Sequence, residues 1–399
     1  MIGIWLLLVH WLMIADVWDE TNGLLFFEQF RLAELLPVIW TVPLFGLYRP
    51  LAMSAAVLIS KAAPTYGAAW LLLRWCNAGM LLAGLMILAS LLADRGRRQR
   101  SNLLWLLPFS APFLLSAGWG AAIFDTSALL LICAGLHLLH RRWWLSAGLL
   151  LGLAWFCKEA AVLALPVAIL MTGSPHRTSS SMVRAATAWI LPVSLFSIMR
   201  CVLIPPGSAV DLHGFQPEFG WSTAASWLRS MWFGDLVTDP AIVIGLALTA
   251  ASPFLLRGRC PRLALVTLII MCIPLYWGML DHHSGCLIQP SHFSGRLFLL
   301  PVTLGFFIIL LHGRRFAPVF VLVPLLLGGA LFAIRHHRFQ NSYAQVYLLP
   351  LPVAPDLLRI RSTAPPLVDH RRRIAIGEYP DAEYLLRVED GRLLTVSDQ

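Results

Sequence analysis

Lysine is almost absent from this chain: of its 30 lysines and arginines, only Lys61 and Lys158 are lysine. Charge of either sign is scarce, at 13% of residues against 58% hydrophobic, and the mean hydropathy is +0.73. So few charges cannot coat an ordinary soluble domain, which excludes that class. The seven cysteines form no C-x-x-C pair and no regular spacing, so neither a disulfide framework nor a cysteine metal site is expected. P-loop, G-x-G-x-x-G and G-x-S-x-G patterns are all missing, which removes the usual routes to cytosolic nucleotide and serine-hydrolase chemistry. No repeat of roughly 20 to 50 residues is visible, so a solenoid is excluded as well.

What the chain has instead is long apolar runs. They fall at 2–15, 67–93, 102–117, 119–139, 143–157, 160–172, 185–204, 240–256, 263–280, 297–311 and 316–334. Read as membrane spans, these predict an all-α polytopic membrane protein with about 11 transmembrane helices. The gaps between them alternate in chemistry. One set carries Arg95, Arg97, Arg98, Arg100, Arg141, Arg142, Arg177, Arg184, Arg257, Arg259, Arg262, Arg314 and Arg315, with Asp94 as its one acid. The positive-inside tendency makes that side cytoplasmic, with the N-terminus inside and the C-terminus extracytoplasmic, in a bacterial inner or plasma membrane. The net charge of +9 then reads as topology signals and contacts with anionic membrane lipids, and no nucleic-acid partner is expected. The first apolar stretch lacks a basic leader and an A-x-A site, so a retained first helix is expected rather than a removed signal peptide.

Residues 1–334 form the transmembrane domain on this reading, and 335–399 an extracytoplasmic tail. The first outer loop, 16–66, is long. Within LLFFEQFRLAELL, Glu28, Arg31 and Glu34 recur every three residues among apolar neighbours, predicting a helix that lies in the membrane interface. A second short helix is expected from Pro50, because proline is well tolerated in a first turn. In the tail, Asp390 and Gly391 between two alternating apolar runs predict a β-hairpin. Trp119, Trp143 and Trp144 read as interface anchors at span ends.

Several charged residues stand where charge is hard to solvate. Asp16, Asp19 and Glu20 cluster at the end of the first span, where a carboxylate can take a proton from an acceptor or stabilise a developing cation. Lys158 and Glu159 sit at the junction of two short apolar runs, a placement that calls for a partner or a polar cavity. Arg74, Arg200 and Asp125 lie inside apolar stretches. The arginines can snorkel to the interface, whereas the shorter Asp125 must face a partner or cavity. The outer loop from Asp281 carries His282, His283, Cys286, His292 and Arg296, but the spacing fits no four-ligand zinc pattern, so no metal is expected. Arg296 reads as a phosphate or headgroup contact.

Four pieces occur in a recognisable order: the acidic group DVWDE after the first span, YRPL at Tyr48–Leu51, the stretch from Phe124 through CKEAAVLALP, and GRLFLLP from Gly295. Together they resemble the GT-C superfamily of polytopic glycosyltransferases, closest to its protein O-mannosyltransferase branch and bacterial relatives, over roughly residues 1 to 310. The resemblance implies transfer of a sugar from a polyprenyl-phosphate-linked donor to an acceptor on the extracytoplasmic face; the sequence itself marks no certain cofactor. It casts Asp19 as the catalytic acid, with Asp16 or Glu20 as substitutes. Arg49, Lys158 and Arg296 become candidates for the lipid-linked phosphate, and Asp125, His282 and His283 complete the substrate-binding candidates. Two other classes stay open: a non-catalytic membrane component of an envelope polysaccharide or glycolipid assembly system, and a transporter. A transporter is expected to show duplicated halves with broken helices, and no duplication is visible.

Overall fold

The computed structural model describes residues 1–11, 27, 31–41, 48–64, 66–172, 179–203, 239–281, 298–346, 386–389 and 392–395. In chain order the helices are α1 (Ile2–Trp11), α2 (Leu32–Thr41), α3 (Pro50–Ala62), α4 (Tyr66–Asp94), α5 (Arg98–Leu104), α6 (Ala111–Gly118), α7 (Ile123–His140) and α8 (Trp144–Leu153). They continue as α9 (Ala164–Thr172), α10 (Ser179–Leu203), α11 (Asp239–Ala251), α12 (Arg259–Asp281), α13 (Leu299–His312) and α14 (Ala317–Val346). Strands β1 (Leu386–Glu389) and β2 (Arg392–Thr395) pair antiparallel, Glu389 opposite Arg392. Asp390 and Gly391, where the sequence predicts the turn, lie outside the described residues.

Leu71–Asp94, Ile123–His140, Ala186–Leu203 and Ala317–Ile334 are each long and apolar enough to cross a membrane. A fifth crossing is available if Arg98–Phe109 and Ala111–Gly118, bent by 59°, form one broken span. The chain is therefore a helical, multi-pass membrane protein. The count of about 11 spans is not reached among the described residues. The runs at 143–157 and 160–172 form the short helices Trp144–Phe156 and Glu159–Thr172, about 20 Å long at 1.5 Å per residue. A hydrocarbon core is about 30 Å thick. The break between them falls at Lys158, the junction the sequence marks, but neither helix is as long as that core is thick.

Packing fixes how these short helices run. Gly152 is needed because a Cβ there would sit 2.8 Å from Cγ of Pro192. Trp155 meets Trp189 and Phe156 meets Phe196, with ring centroids 6.1 and 5.4 Å apart. Helix α8 and the turn after it thus pack side by side with α10. At Gly329 on α14, a Cβ would run into the carbonyl of Phe109, so glycine lets α14 close over the bend between α5 and α6.

The arginine-bearing turns meet at one end of the bundle. Arg141 bonds Asp94 at 3.2 Å, and His140 lies 3.7 Å from the same carboxylate. Arg100 donates from Nη1 to the carbonyls of Leu310 and Gly313, at 2.9 and 3.0 Å. Arg257 and Arg314 donate their backbone N–H groups to His312 and Leu255, both at 2.9 Å, around a bridge between Leu256 and Gly313. Four gaps that alternate along the sequence are thereby one surface in space.

The first loop departs from its expected boundaries. Arg31 precedes α2, and its backbone N–H donates to the Glu34 carboxylate at 2.9 Å. Glu34 thus acts like the far half of a capping box and starts the helix at Leu32, so Arg31 and Glu34 do not share one polar helical stripe; Glu28 lies outside the described residues. Helix α3 begins at Pro50 as expected and buries Ala52, Met53, Ala56 and Val57 against α4 and α7.

Candidate functional site

The site is built around a break in helix. Lys158 has extended backbone (φ −162°, ψ 136°) between two 3-10 turns, Ala154–Phe156 and Glu159–Leu163. Its N–H still bonds the Ala154 carbonyl, and its own carbonyl accepts from Ala161, both at 3.0 Å. The break puts Lys158 and Glu159 at the apex of the hairpin made by α8 and α9. Helix α7 packs along both, so its first turn reaches the same level.

Two ion pairs form there. The Lys158 ammonium donates to Asp125 in the first turn of α7, and both side chains are almost wholly shielded, at 2% and 3% exposure. A carboxylate in a first turn also gains from the helix dipole. Beside it, Arg49 bonds Oε2 of Glu159 through Nη2 at 2.9 Å and through Nε at 3.2 Å. Its guanidinium carbon lies 5.4 Å from the Phe124 ring centroid, within cation–π range. Arg49 is 6% exposed but Glu159 is 22%. The Arg49–Glu159 pair is therefore the half of the junction that a ligand can approach.

Aromatic residues close one side. Phe196 packs against Tyr48 and Phe156 at 5.8 and 5.4 Å between ring centroids, and Trp40 lies 5.8 Å from Phe156. The Tyr48 hydroxyl donates to the Trp40 carbonyl at 3.3 Å. Burial of Tyr48, Phe156 and Phe196 lowers the local dielectric around the neighbouring charges, which strengthens both the attraction within each pair and the penalty for an unpaired member.

A second polar network holds the start of α7. Arg74, fully buried, donates from Nε to the Gly118 carbonyl at 2.8 Å. Asn77 donates to the carbonyls of Trp119 and Gly120, at 2.7 and 3.3 Å, and accepts from Thr126 at 2.8 Å. These bonds satisfy carbonyls left over where α6 ends. Arg74 does not snorkel as the sequence suggested: it is fully buried and bonded to the end of α6. Asn77 and Thr126 were missed, although an asparagine inside an apolar run is itself a sign of interhelical hydrogen bonding.

Of the expected site residues, Arg49, Asp125 and Lys158 come together. Asp16, Asp19, Glu20, His282, His283 and Arg296 lie outside the described residues. Helix α1 packs on α6 through Trp5, whose Nε1 donates to the Pro108 carbonyl at 2.8 Å. His10, near its end, stacks on Trp75 at 6.3 Å, one residue from Arg74. The chain thus leaves α1 at about the level of the Arg74–Asn77 network. Among the described residues no group of three His, Cys, Asp or Glu side chains is placed to hold a metal ion. Comparison with family models, with curated proteins and with solved structures finds no match.

Proposed function

We propose that this chain is a membrane glycosyltransferase that moves a sugar from a polyprenyl-phosphate-linked donor to an acceptor on the extracytoplasmic face. One observation carries the reading: Arg49 of YRPL and Glu159 of CKEAAVLALP, 110 residues apart in sequence, bond each other directly. Two of the pieces on which the resemblance rests therefore belong to a single junction. The start of α13, which continues GRLFLLP, packs near the same break through the Glu159–Leu163 turn.

On this reading the donor phosphate exchanges with Glu159 for the Arg49 guanidinium, whose planar fork suits phosphate oxygens. Lys158 is a positioning residue: it fixes the apex through Asp125 and so sets where Glu159 and Arg49 stand. Positive charge at that point stabilises the phosphate as it leaves the sugar. The acceptor is activated by a first-loop carboxylate, Asp19 by preference. Reconstituted wild-type protein is expected to transfer labelled sugar from a polyprenyl-phosphate donor to acceptors in a membrane extract, and Arg49→Gln to lower kcat/KM by about 10- to 100-fold, as loss of a charged hydrogen-bond partner implies. Donor binding without transfer to any acceptor would instead favour a non-catalytic component of glycan assembly. That second reading draws on the shielding of the Lys158–Asp125 pair, at 2% and 3% exposure, which suits a purely structural clasp.

The orientation follows from the arginine end. A reporter fused after Arg100 or Arg315 is expected to be cytoplasmic, and one at Gly207 or after Gln399 extracytoplasmic. External labelling at Arg100 would reverse the orientation and put the Arg49–Glu159 junction on the wrong side for an extracytoplasmic acceptor.

A further inference from the structure

A partly open apolar groove lies between α11, α12, α13 and α14, and none of its lining residues belongs to the Arg49–Glu159 junction. Its walls include Leu268, Cys272, Phe306 and Leu325, all at least 97% buried. Its hydroxyls make no demand on a ligand, since Thr249 donates to the Gly245 carbonyl at 2.8 Å and Ser252 to that of Thr249 at 2.9 Å. The groove follows α13 from Pro301 to Ile309, roughly 12 Å at 1.5 Å per residue.

One end of the groove reaches the arginine surface. Ile309 is a single turn from Gly313, whose N–H bonds it at 2.7 Å. Gly313 bridges Leu256, flanked by Arg257 and Arg314, and Arg262 donates from Nε to the Leu256 carbonyl at 3.1 Å. Arg257, Arg262 and Arg314 are exposed. Arg257 and Arg97 both repel Arg100 electrostatically, while the one acid in these turns, Asp94, is engaged by Arg141. Crowded guanidinium groups with no carboxylate beside Arg257, Arg262 and Arg314 among the described residues call for an anion from outside the chain. The same helices turn Leu263, Ile270 and Val323 outward, each more than half exposed, as a face toward lipid requires.

We propose that this groove is a binding site for one anionic phospholipid of the bilayer, with an acyl chain between α11, α12, α13 and α14 and the phosphate on Arg257, Arg262 and Arg314. A soluble phosphate would leave the apolar groove unfilled, and a neutral lipid would leave the arginines uncompensated. The two halves of the site select a molecule that is charged at one end and apolar at the other. This proposal is independent of sugar transfer.

Native mass spectrometry of protein released from mixed micelles of phosphatidylglycerol and phosphatidylcholine tests it. One phosphatidylglycerol is expected to stay bound in preference to phosphatidylcholine. The triple variant Arg257→Gln, Arg262→Gln, Arg314→Gln should weaken retention by about 100-fold, at about a factor of five per arginine. Gly305→Leu should also abolish retention by filling the groove, since a Cβ there meets only Leu265, at 3.5 Å. If that variant proves unstable, the triple arginine variant decides alone, because Arg257 and Arg314 hold the bridge through their backbone N–H groups and Arg262 gives up one side-chain bond to the Leu256 carbonyl. Equal retention of the two lipids, undiminished retention in the triple variant, or displacement of phosphatidylglycerol by an equimolar polyprenyl phosphate would overturn the proposal.

Discussion

Lys158→Met is expected to destabilise the protein by about 3–5 kcal/mol, because it strands the Asp125 carboxylate in a site from which water is excluded. The same principle gives the companion result. Lys158→Met combined with Asp125→Leu removes both charges, fills similar volume, and should recover most of the lost stability. Unfolding midpoints in detergent for the two single variants and the double variant form a cycle whose coupling term isolates the pair. Single variants as stable as wild type would mean that Lys158 and Asp125 do not hold the hairpin apex. The double variant has a further use: with the fold restored, any remaining loss of donor binding measures how far Lys158 positions Glu159 and Arg49.

Asp19→Asn is expected to lower turnover by roughly 10² to 10⁴, the range typical for loss of a general base. Asparagine keeps the size and much of the hydrogen bonding of aspartate, so the change tests charge and basicity rather than packing. Asp16→Asn and Glu20→Gln serve as matched controls, each expected to keep most activity. Loss in one of these with none in Asp19→Asn would transfer the role to that residue. Full activity in all three would reduce the first-loop acids to topological charges and remove the catalytic assignment.

Sequence patterning located much of this architecture because several of its signals are local. Pro50 marks a helix start through its own fixed φ, and Asp390-Gly391 marks a hairpin through the turn it can adopt. The arginine alternation is read gap by gap, and four of its five gaps do meet at one end of the bundle. Asp125 and Lys158 stood out because each is a charge in an apolar run. Their pairing was not legible, since the two positions are 33 residues apart and Arg49 and Glu159 are 110 apart. Nothing local links such residues before the helices pack. The same limit explains Arg74, whose acceptor at Gly118 exists only because α6 ends beside it. The span count is not confirmed among the described residues, and helix length is the reason. Apolar helices of 10–17 residues such as Trp144–Phe156 and Glu159–Thr172 read as crossings by composition but are shorter than a hydrocarbon core is thick.

The most direct measurement of the central claim is donor affinity in the double variant Arg49→Gln, Glu159→Gln. Replacing both partners removes the accessible ion pair without stranding either charge, so the unfolding midpoint should stay near that of wild type. Binding of a polyprenyl-phosphate-linked sugar, titrated in nanodiscs, is expected to weaken by about 10- to 100-fold, the loss of one charged hydrogen-bond partner for the phosphate. Unchanged donor affinity in a stably folded double variant would show that the junction is a structural clasp and that the phosphate binds elsewhere.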